Sequence, residues 1–252
     1  PVYRYDGRDF VATAGELDGD GRRVEAIILP AGVDTRQGAA LVKIQPSLAA
    51  AIVESFEVIE QYAPSDLECA STLADRLLHN TSIERAIGQL ELGMADMQSA
   101  VQTRNGADAP ALASFQKADG GWGWCFSSES NPWISAQALL ALTRAVDLGY
   151  EVDQTVLDNG AEYLRSKLEA TDRLGDASEA NRQAFFLYVL AEAGDDVTAD
   201  ADALVDEHRA LLDPYAKALL ALAYEANGAA GDNQDALLTD LNDEVIMSAT
   251  GA

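Results

Sequence analysis

The 252-residue sequence predicts a mainly α-helical protein, built of antiparallel helix hairpins, with a small antiparallel β segment at its N-terminus. Three observations support this fold class. From residue 46 onward, apolar side chains recur three and four positions apart, which is the period of a helix with one buried face. Most of these runs begin at Ser, Thr, Asp or Asn, the residues preferred at helix N-caps. The runs are separated by short segments, as expected for neighbouring antiparallel helices.

Residues 1–45 differ from the rest of the chain. The runs 10–14, 24–29 and 40–45 are rich in apolar and β-branched residues, and two Asp-Gly pairs separate the first two runs. Three short strands do not form a stable domain by themselves. We therefore interpret 1–45 as part of a neighbouring β-sandwich and 46–252 as a helical domain.

The helical part is predicted to contain ten helices. Capping boxes, in which a residue at N3 bonds back to the N-cap, mark two of the starts in the first half. The predicted starts there are Ser47, Ser65 with Glu68, Thr81 with Glu84, and Ala109. In the second half the predicted helices run from Asn131 and Pro132 to Gly149, Asp153 to Leu168, Asp176 (with Glu179) to Gly194, Asp200 to Leu212, Asp213 and Pro214 to Asn227, and Gln234 to Val245.

A glycine-rich loop separates two of these helices. Asp119, Gly120 and Gly121 cannot continue a helix, because paired glycines lose too much backbone entropy there. Trp122 and Trp124 are two residues apart, so an extended backbone would direct both indoles to the same side. We expect these five residues to form a loop or to face a partner surface. We expect the tryptophans, together with Trp133, to wedge between the hairpins and fix the loop; the alternative is that they line a cleft that stacks sugars or shields a carbocation.

The charge of the chain argues against two classes of partner. There are 42 acidic and 17 basic residues, giving a formal net charge of −25. Nucleic acids and anionic membranes both attract basic surfaces, so neither is an expected partner. No apolar run approaches the length that spans a bilayer, and we expect no membrane insertion by this segment. The chain begins at Pro1 and is interpreted as a piece of a larger protein.

Two known families share the loop motif. The string 116–122, "QKADGGW", fits the Gln-x-x-x-Gly-x-Trp pattern of terpene cyclases and prenyltransferase β-subunits, which are toroids of paired helices. With 131–153 and 38–64 included, the sequence resembles more closely the thioester-type domain of bacterial alpha-2-macroglobulins. This resemblance implies an α/α toroid that adjoins a β-domain of CUB type. The ring is expected to be incomplete at its C-terminal end, because ten helices are fewer than the twelve of the family's toroid.

The resemblance also assigns a position to Cys69. The segment 76–80, "RLLHN", resembles the family's "RFLPN", and this alignment places Cys69 at the cysteine of the Cys-x-Glu-Gln thioester motif. Ser71 then replaces the glutamate and Thr72 replaces the glutamine. Threonine has no carboxamide, so we expect the thioester to be absent. The resemblance further places Cys69 and Cys125 at the same end of the ring, which leaves two alternatives, a disulfide or a half-buried free Cys69.

The function implied by the resemblance is that of an endopeptidase inhibitor, not an enzyme. Such a bacterial protein traps proteases after cleavage of a bait segment. Its expected partners are the other domains of the same large chain and the target proteases. The expected location is extracellular or periplasmic, with the parent carried as a membrane-anchored lipoprotein. No catalytic residue, cofactor or metal ligand is predicted. The alternatives are a toroid enzyme of terpene cyclase or polysaccharide-active type, which requires a deep pocket lined by Trp and acids, and a purely structural scaffold.

Overall fold

The computed structural model describes Arg22, Val24, Ala26 and residues 69–90, 94–125 and 129–244. The predicted strands, those three isolated positions apart, and the predicted helix after Ser47 lie outside the described residues. Eight α-helices form the described part of the chain: α1 Ala70–Gln89, α2 Ala95–Ser114, α3 Pro132–Asp147, α4 Gln154–Arg165, α5 Ala177–Glu192, α6 Thr198–His208, α7 Pro214–Ala226 and α8 Asp232–Glu244. Single 3₁₀ turns lie at Thr171–Arg173 and Arg209–Leu211.

Four of the predicted helix starts of the second half are confirmed, whereas the helices predicted from Asp200 and Gln234 begin two residues earlier, at Thr198 and Asp232. The Asn131 carboxamide oxygen accepts hydrogen bonds from the backbone N–H groups of residues 133 and 134, at 3.0 and 3.2 Å. The carboxylates of Asp153, Asp176 and Asp213 each accept one N–H bond from the first turn of α4, α5 and α7, respectively. These bonds satisfy N–H groups that have no partner within the helix.

The predicted glycine stops are confirmed in the same way. Gly149 follows α3 with φ +91°, and Gly194 follows α5 with φ +95°. In this left-handed region a side chain clashes with the backbone, so glycine ends a helix at no steric cost.

The two helix starts predicted from capping boxes in the first half are wrong. α1 begins only at Ala70, with Cys69 as its extended N-cap residue, and then runs without interruption through Thr81. The Thr81 hydroxyl donates instead to the carbonyl of Leu77, four residues back, at 2.8 Å. Because Ser and Thr make this bond inside helices as well as at caps, the capping pattern alone does not locate a helix start.

The short helix predicted from Ala109 is part of a longer one. α2 contains Pro110 in its interior, although proline removes one backbone donor there. The neighbouring Leu112 is fully buried. Asp108 accepts two hydrogen bonds from the guanidinium of Arg76 on α1, at 2.5 and 2.6 Å. The burial of Leu112 and the ion pair of Asp108 with α1 hold the helix on the two sides of the proline.

The helices are arranged in two rows. α1, α3, α5 and α7 lie side by side, while α2, α4 and α6 each pack across two successive members of that row. Near the starts of α5 and α7, Asn181 donates to Asp213 at 3.0 Å. Near the ends of α3 and α5, Arg144 contacts Glu192 at 3.4 Å. The helices of the first row are therefore parallel, and successive helices of the chain are antiparallel hairpins as predicted.

The core lies between the rows. α5 is buried continuously from Gln183 to Ala191, and α3 is buried at ten of its sixteen residues. A helix that is apolar on all faces is enclosed by others, whereas a helix on the outside shows one apolar stripe. The enclosed α3 supports the loop before it, which carries the candidate site.

Candidate functional site

The candidate site is the end of the first row at which α1 and α3 begin. Cys69 lies just before α1, where the resemblance places the thioester cysteine, and its backbone is extended (φ −105°, ψ 147°). The prediction that Cys69 lies within the first helical turn is therefore wrong by one residue. Ser71 and Thr72 occupy the second and third helical positions, and both are half-buried.

Cys69 and Cys125 are joined by a disulfide in the structure, with their Cα atoms 4.2 Å apart. The bond connects residues separated by 56 positions and ties the start of α1 to the loop between α2 and α3. Next to it, the backbone N–H and the hydroxyl of Ser71 both reach the carbonyl of Trp124, at 3.4 and 3.3 Å. The sulfur of Cys69 is thus covalently bonded within the chain.

The two glycines of the loop are required by close packing. Gly120 adopts φ +85°, and a Cβ atom there would lie 2.4 Å from the carbonyl oxygen of Asn159 on α4. A Cβ atom on Gly121 would lie 2.7 Å from the side chain of Ser130 and 2.8 Å from that of Tyr163. Contacts this short are not tolerated, so the loop can lie against α4 only with glycine at both positions.

Gln116 and Asp119 complete the loop. The Gln116 carboxamide donates to the carbonyls of Gly120 and Val156, at 3.0 and 2.8 Å, and so connects the loop to α4. The Asp119 carboxylate accepts from the Ser130 hydroxyl at 2.7 Å and from the N–H of Gly121 at 3.1 Å. The hydrogen bond from Ser130 lowers the pKa of the exposed Asp119 carboxyl below its ordinary value.

The two loop tryptophans lie in opposite environments, contrary to the expectation that they share a side. Trp122 is fully buried, and its indole N–H donates to the carbonyl of Leu112 at 2.9 Å. Its backbone N–H donates to the hydroxyl of Ser135 on α3 at 2.8 Å. Trp124 is 55% exposed. The backbone is not a regular strand here, so period-two alternation does not apply.

The loop forms as expected, but only two of its five residues can face a partner. Trp122, Gly120 and Gly121 are buried within the described unit, where Trp122 wedges between the helices. Asp119 and Trp124 remain exposed. A third tryptophan, Trp133, is 41% exposed and packs its ring 4.7 Å from that of Phe185. The outer surface at this end thus carries Trp124, Trp133 and Cys125.

Sequence reasoning missed a buried polar cluster at the opposite end of α1. Glu84 is 8% exposed, and its carboxylate accepts from Gln102, Asn105 and Tyr150, at 3.0, 2.9 and 2.7 Å. Burial, followed by the hydrogen bond to Glu84, raises the pKa of the Tyr150 hydroxyl to about 12. The cluster joins α1, α2 and the segment after α3. The wrongly assigned capping box at Thr81 concealed the role of Glu84 in the sequence.

A second feature is a cavity of about 380 Å³ in the region of α6, α7 and α8. The Asp202 carboxylate, at its wall, accepts from the Tyr224 hydroxyl and the Asn233 amide, at 2.7 and 2.9 Å. Asp232 and Gln234 also contribute to the lining, and no tryptophan does. The cavity therefore differs from the Trp-lined axial pocket that the enzyme alternative requires.

The described residues contain neither a cluster arranged for a metal ion nor a membrane-spanning helix. No group of three His, Cys, Asp or Glu side chains in 69–90, 94–125 and 129–244 is arranged to hold a metal ion. No helix of that part of the chain is long and apolar enough to cross a bilayer. His208 is half-buried, and its Nε2 lies 2.8 Å from the carbonyl oxygen of Thr171.

Comparisons with known proteins agree with the fold described above. No family model matches the chain. A 54-residue segment, 21% of this chain, is 41% identical to the curated "Alpha-2-macroglobulin" of Thermotoga maritima. Over this segment the chain is similar to the Thermotoga alpha-2-macroglobulin. The matched segment covers 4% of that protein, so the match spans a small part of the relative's length.

Three solved structures of two alpha-2-macroglobulins have a similar fold. The crystal structure of the native Escherichia coli protein from domain MG7 to the C-terminus matches with a TM-score of 0.58 and 20% identity, over 76% of this chain and 31% of that one. The cryo-EM structure of the native E. coli protein gives 0.57 and 20%, over 78% of this chain and 13% of that one. The Salmonella alpha-2-macroglobulin reacted with methylamine gives 0.57 and 17%, over 79% and 13%. At these identities the three structures show a shared fold.

Proposed function

We propose that the chain is the helical, thioester-type domain of a bacterial alpha-2-macroglobulin-like endopeptidase inhibitor, and that it has lost the thioester. The similarity to alpha-2-macroglobulins supports the family. The observation that supports the loss of the thioester is the bond of the Cys69 sulfur, which joins it to Cys125 and not to an acyl group.

The chemistry of residue 72 supports the loss. Thioester formation joins a cysteine sulfur to the side-chain acyl carbon of a glutamine. Thr72 lies at the corresponding position of α1 and offers a hydroxyl and a methyl group, neither of which supplies an acyl carbon. Ser71 replaces the neighbouring glutamate and bonds to the carbonyl of Trp124. The acyl carbon of the expected bond is thus lacking, and the Cys69 sulfur is bonded to Cys125. Covalent capture through an acyl group is therefore not part of the proposed mechanism.

The proposed role of the domain is therefore non-covalent. Bait cleavage elsewhere in the parent protein rearranges its domains around the protease, and this domain moves as a rigid body. The enclosed α3 and the buried Trp122 make the candidate-site end stiff. The exposed Trp124 and Trp133 provide apolar surface at that end for contact with another domain of the parent, since large exposed aromatics are enriched at interfaces.

The proposed domain boundaries follow the sequence pattern. Residues 1–45 belong to a neighbouring CUB-like β-sandwich, and 46–252 belong to an α/α toroid. The two-row packing of α1 to α7 supports the toroid assignment.

The proposed location is the periplasm or the extracellular space, with the parent carried as a membrane-anchored lipoprotein. The Cys69–Cys125 disulfide supports an oxidising compartment, because cytosolic thiols are kept reduced. Thiol labelling of the protein isolated directly into acid tests this: the cysteines should be oxidised in the cell envelope fraction, and two reduced cysteines there would contradict it.

A protease-trapping assay on the whole parent protein tests the function. We expect trypsin incubated with it to keep its activity on a small chromogenic peptide and to lose activity on a large protein substrate, because a trapped protease is accessible only to small molecules. Denaturing electrophoresis should show no covalent complex of parent and trypsin. Unimpaired cleavage of the large substrate would contradict the inhibitor function, and a covalent parent–trypsin band that survives denaturant and reductant would contradict the loss of the thioester.

A further inference from the structure

The two sulfurs of the Cys69–Cys125 disulfide lie in unlike surroundings. Cys125 is exposed in the loop, whereas Cys69 is half-buried. Cys69 is also the N-cap residue of α1, a 20-residue helix whose first turn contains no acidic side chain. A negative charge is favoured at a helix N-terminus by the N–H groups and the helix dipole. The start of α1 therefore favours a thiolate on Cys69.

The loop does not depend on the disulfide for its position. Upstream of Cys125, the buried Trp122 donates its indole N–H to Leu112. Also upstream, the N–H of Lys117 donates to the carbonyl of Gly121 at 2.8 Å. Downstream of Cys125, the N–H of Asn131 donates to the carbonyl of Trp122 at 2.8 Å. Opening the sulfur–sulfur bond thus leaves both cysteines held close to each other, with the surrounding hydrogen bonds intact.

We propose that the Cys69–Cys125 disulfide is a thiol–disulfide exchange site, at which an incoming cysteine thiolate attacks the sulfur of Cys125 and expels Cys69. The proposal rests on the disulfide and on neither protease trapping nor the family role. Its substrate is the thiolate of a cysteine, in a low-molecular-weight thiol or in an extended peptide.

The exchange is balanced without any further reactant. The incoming thiolate forms a new bond to the Cys125 sulfur, the Cys69–Cys125 bond breaks, and its electron pair leaves on Cys69 as a thiolate. The product is a mixed disulfide on Cys125. Cys69 remains next to it and can attack the Cys125 sulfur again, which reforms the original bond and releases the bound thiol unchanged. Exchange is therefore reversible capture of a thiol.

The direction of attack follows from access and from the leaving group. An incoming thiolate reaches the exposed cysteine more readily than the half-buried one. Disulfide exchange is faster when the departing sulfur accommodates negative charge more easily, and the N–H groups at the start of α1 favour such a charge on Cys69. Both factors favour attack on Cys125.

The position of the adduct tests the direction. The folded, oxidised 252-residue chain is treated briefly with reduced glutathione, the remaining thiols are alkylated with N-ethylmaleimide, and the peptides are mapped by mass spectrometry. We expect glutathione on Cys125 and N-ethylmaleimide on Cys69. Glutathione mainly on Cys69, or no adduct until the chain is unfolded by denaturant, would overturn the proposal. A parallel arm with a cysteine-containing peptide distinguishes the source of the thiol, and an adduct on Cys125 in either arm supports the site.

A matched pair of variants tests the leaving group. Thr72→Asp places a carboxylate in the first turn of α1, and Thr72→Asn has nearly the same shape without the charge. The carboxylate disfavours the departing thiolate, so we expect Thr72→Asp to form the Cys125 adduct roughly twofold or more slowly than Thr72→Asn. Equal rates in the two variants would show that the helix N-terminus does not assist the departure of Cys69. These outcomes do not depend on the trapping assay, which tests the proposed function separately.

Discussion

The ring of Trp122 lies against the backbone of Gly160 on α4. A Cβ atom at residue 160 would be 2.9 Å from Cζ3 of Trp122 and 3.3 Å from a methyl group of Leu139. Trp122 is fully buried in this position. The absence of a side chain at Gly160 therefore allows the loop tryptophan to enter the core.

Gly160→Ala should accordingly destabilise the protein. Overpacking a core typically costs about 1–3 kcal/mol, and the better helix propensity of Ala returns up to about 1 kcal/mol. We expect a net loss of about 1–2 kcal/mol in the free energy of unfolding, measured by denaturant titration. The matched control is Gly106→Ala in α2, where the nearest atom would be 4.0 Å away. That variant should be neutral or more stable, and equal destabilisation of both would contradict the packing argument.

Loss of the disulfide should lower stability without removing the fold. A cross-link that closes a loop of this length typically stabilises a protein by about 2–4 kcal/mol. We expect that decrease in the free energy of unfolding when the chain is reduced, with the helical circular dichroism spectrum retained. The double variant Cys69→Ser with Cys125→Ser controls for the reductant. Its free energy of unfolding should be the same with and without reductant. Two thiols that label in the unfolded, unreduced chain would show that the disulfide is absent.

Methylamine should leave the native chain unchanged. Small amines add to an acyl group at a thioester and release a free thiol. Because Thr72 has no acyl carbon, we expect neither a mass increase nor a new thiol after treatment of the folded protein. Intact-protein mass spectrometry and thiol titration measure the two quantities. An added methylamine mass that maps to α1 would refute the loss of the thioester.

Glu84→Gln should destabilise the buried cluster. The carboxylate accepts three hydrogen bonds, whereas the amide of Gln would oppose one donor with another. Leaving a buried polar group unsatisfied costs about 1–3 kcal/mol, which we expect as the loss of unfolding free energy. Glu162→Gln at an exposed position of α4 is the matched control and should have little effect.

The same cluster predicts that the stability of the folded protein depends on pH in the alkaline range. The pKa of Tyr150 is raised to about 12 in the folded protein, chiefly by burial, and is about 10 in an unfolded chain. The folded state thus binds the phenolic proton more tightly. Its contribution is fully present below pH ~10 and is lost as the pH rises toward 12. Tyr150→Phe should flatten the stability curve in that window, and an unchanged curve would contradict the assignment.

The contact between Asp240 and Arg209 should hold α8 in place. The guanidinium of Arg209 donates to both carboxylate oxygens, at 2.5 and 2.9 Å, and lowers the pKa of Asp240 to about 2. The ammonium of Lys217 lies 3.3 Å from the same carboxylate. Because the folded pKa is depressed, this contribution is present above the unfolded value of about 4 and is lost as the pH falls toward 2.

Asp240→Asn tests that contact at neutral pH. We expect faster hydrogen exchange of the α8 amides in this variant, because α8 opens locally when its charged contacts are removed. Asp243→Asn, on an exposed position of the same helix, is the control and should leave the exchange rates unchanged. Equal exchange in both variants would show that the contact does not secure α8.

The sequence determined those features that depend on neighbouring residues. Asn131 and Asp176 cap helices because their side chains satisfy N–H groups two or three residues away, and Gly149 ends a helix because of its own φ angle. Such bonds form wherever the residues occur, so the pattern is sufficient to predict them. The hairpin fold class follows from the same local signals.

The tertiary structure decided what depends on residues far apart in the chain. Thr81 and Glu84 have the pattern of a capping box, yet α1 continues through them because Glu84 bonds to groups on α2 and to Tyr150, 66 positions away. Trp122 and Trp124 have the same spacing as strand neighbours, yet only Trp122 enters the core, because Gly160 leaves space for its ring. Such contacts arise from the packing of whole helices, and a local residue pattern does not specify which helix surfaces will pack against each other.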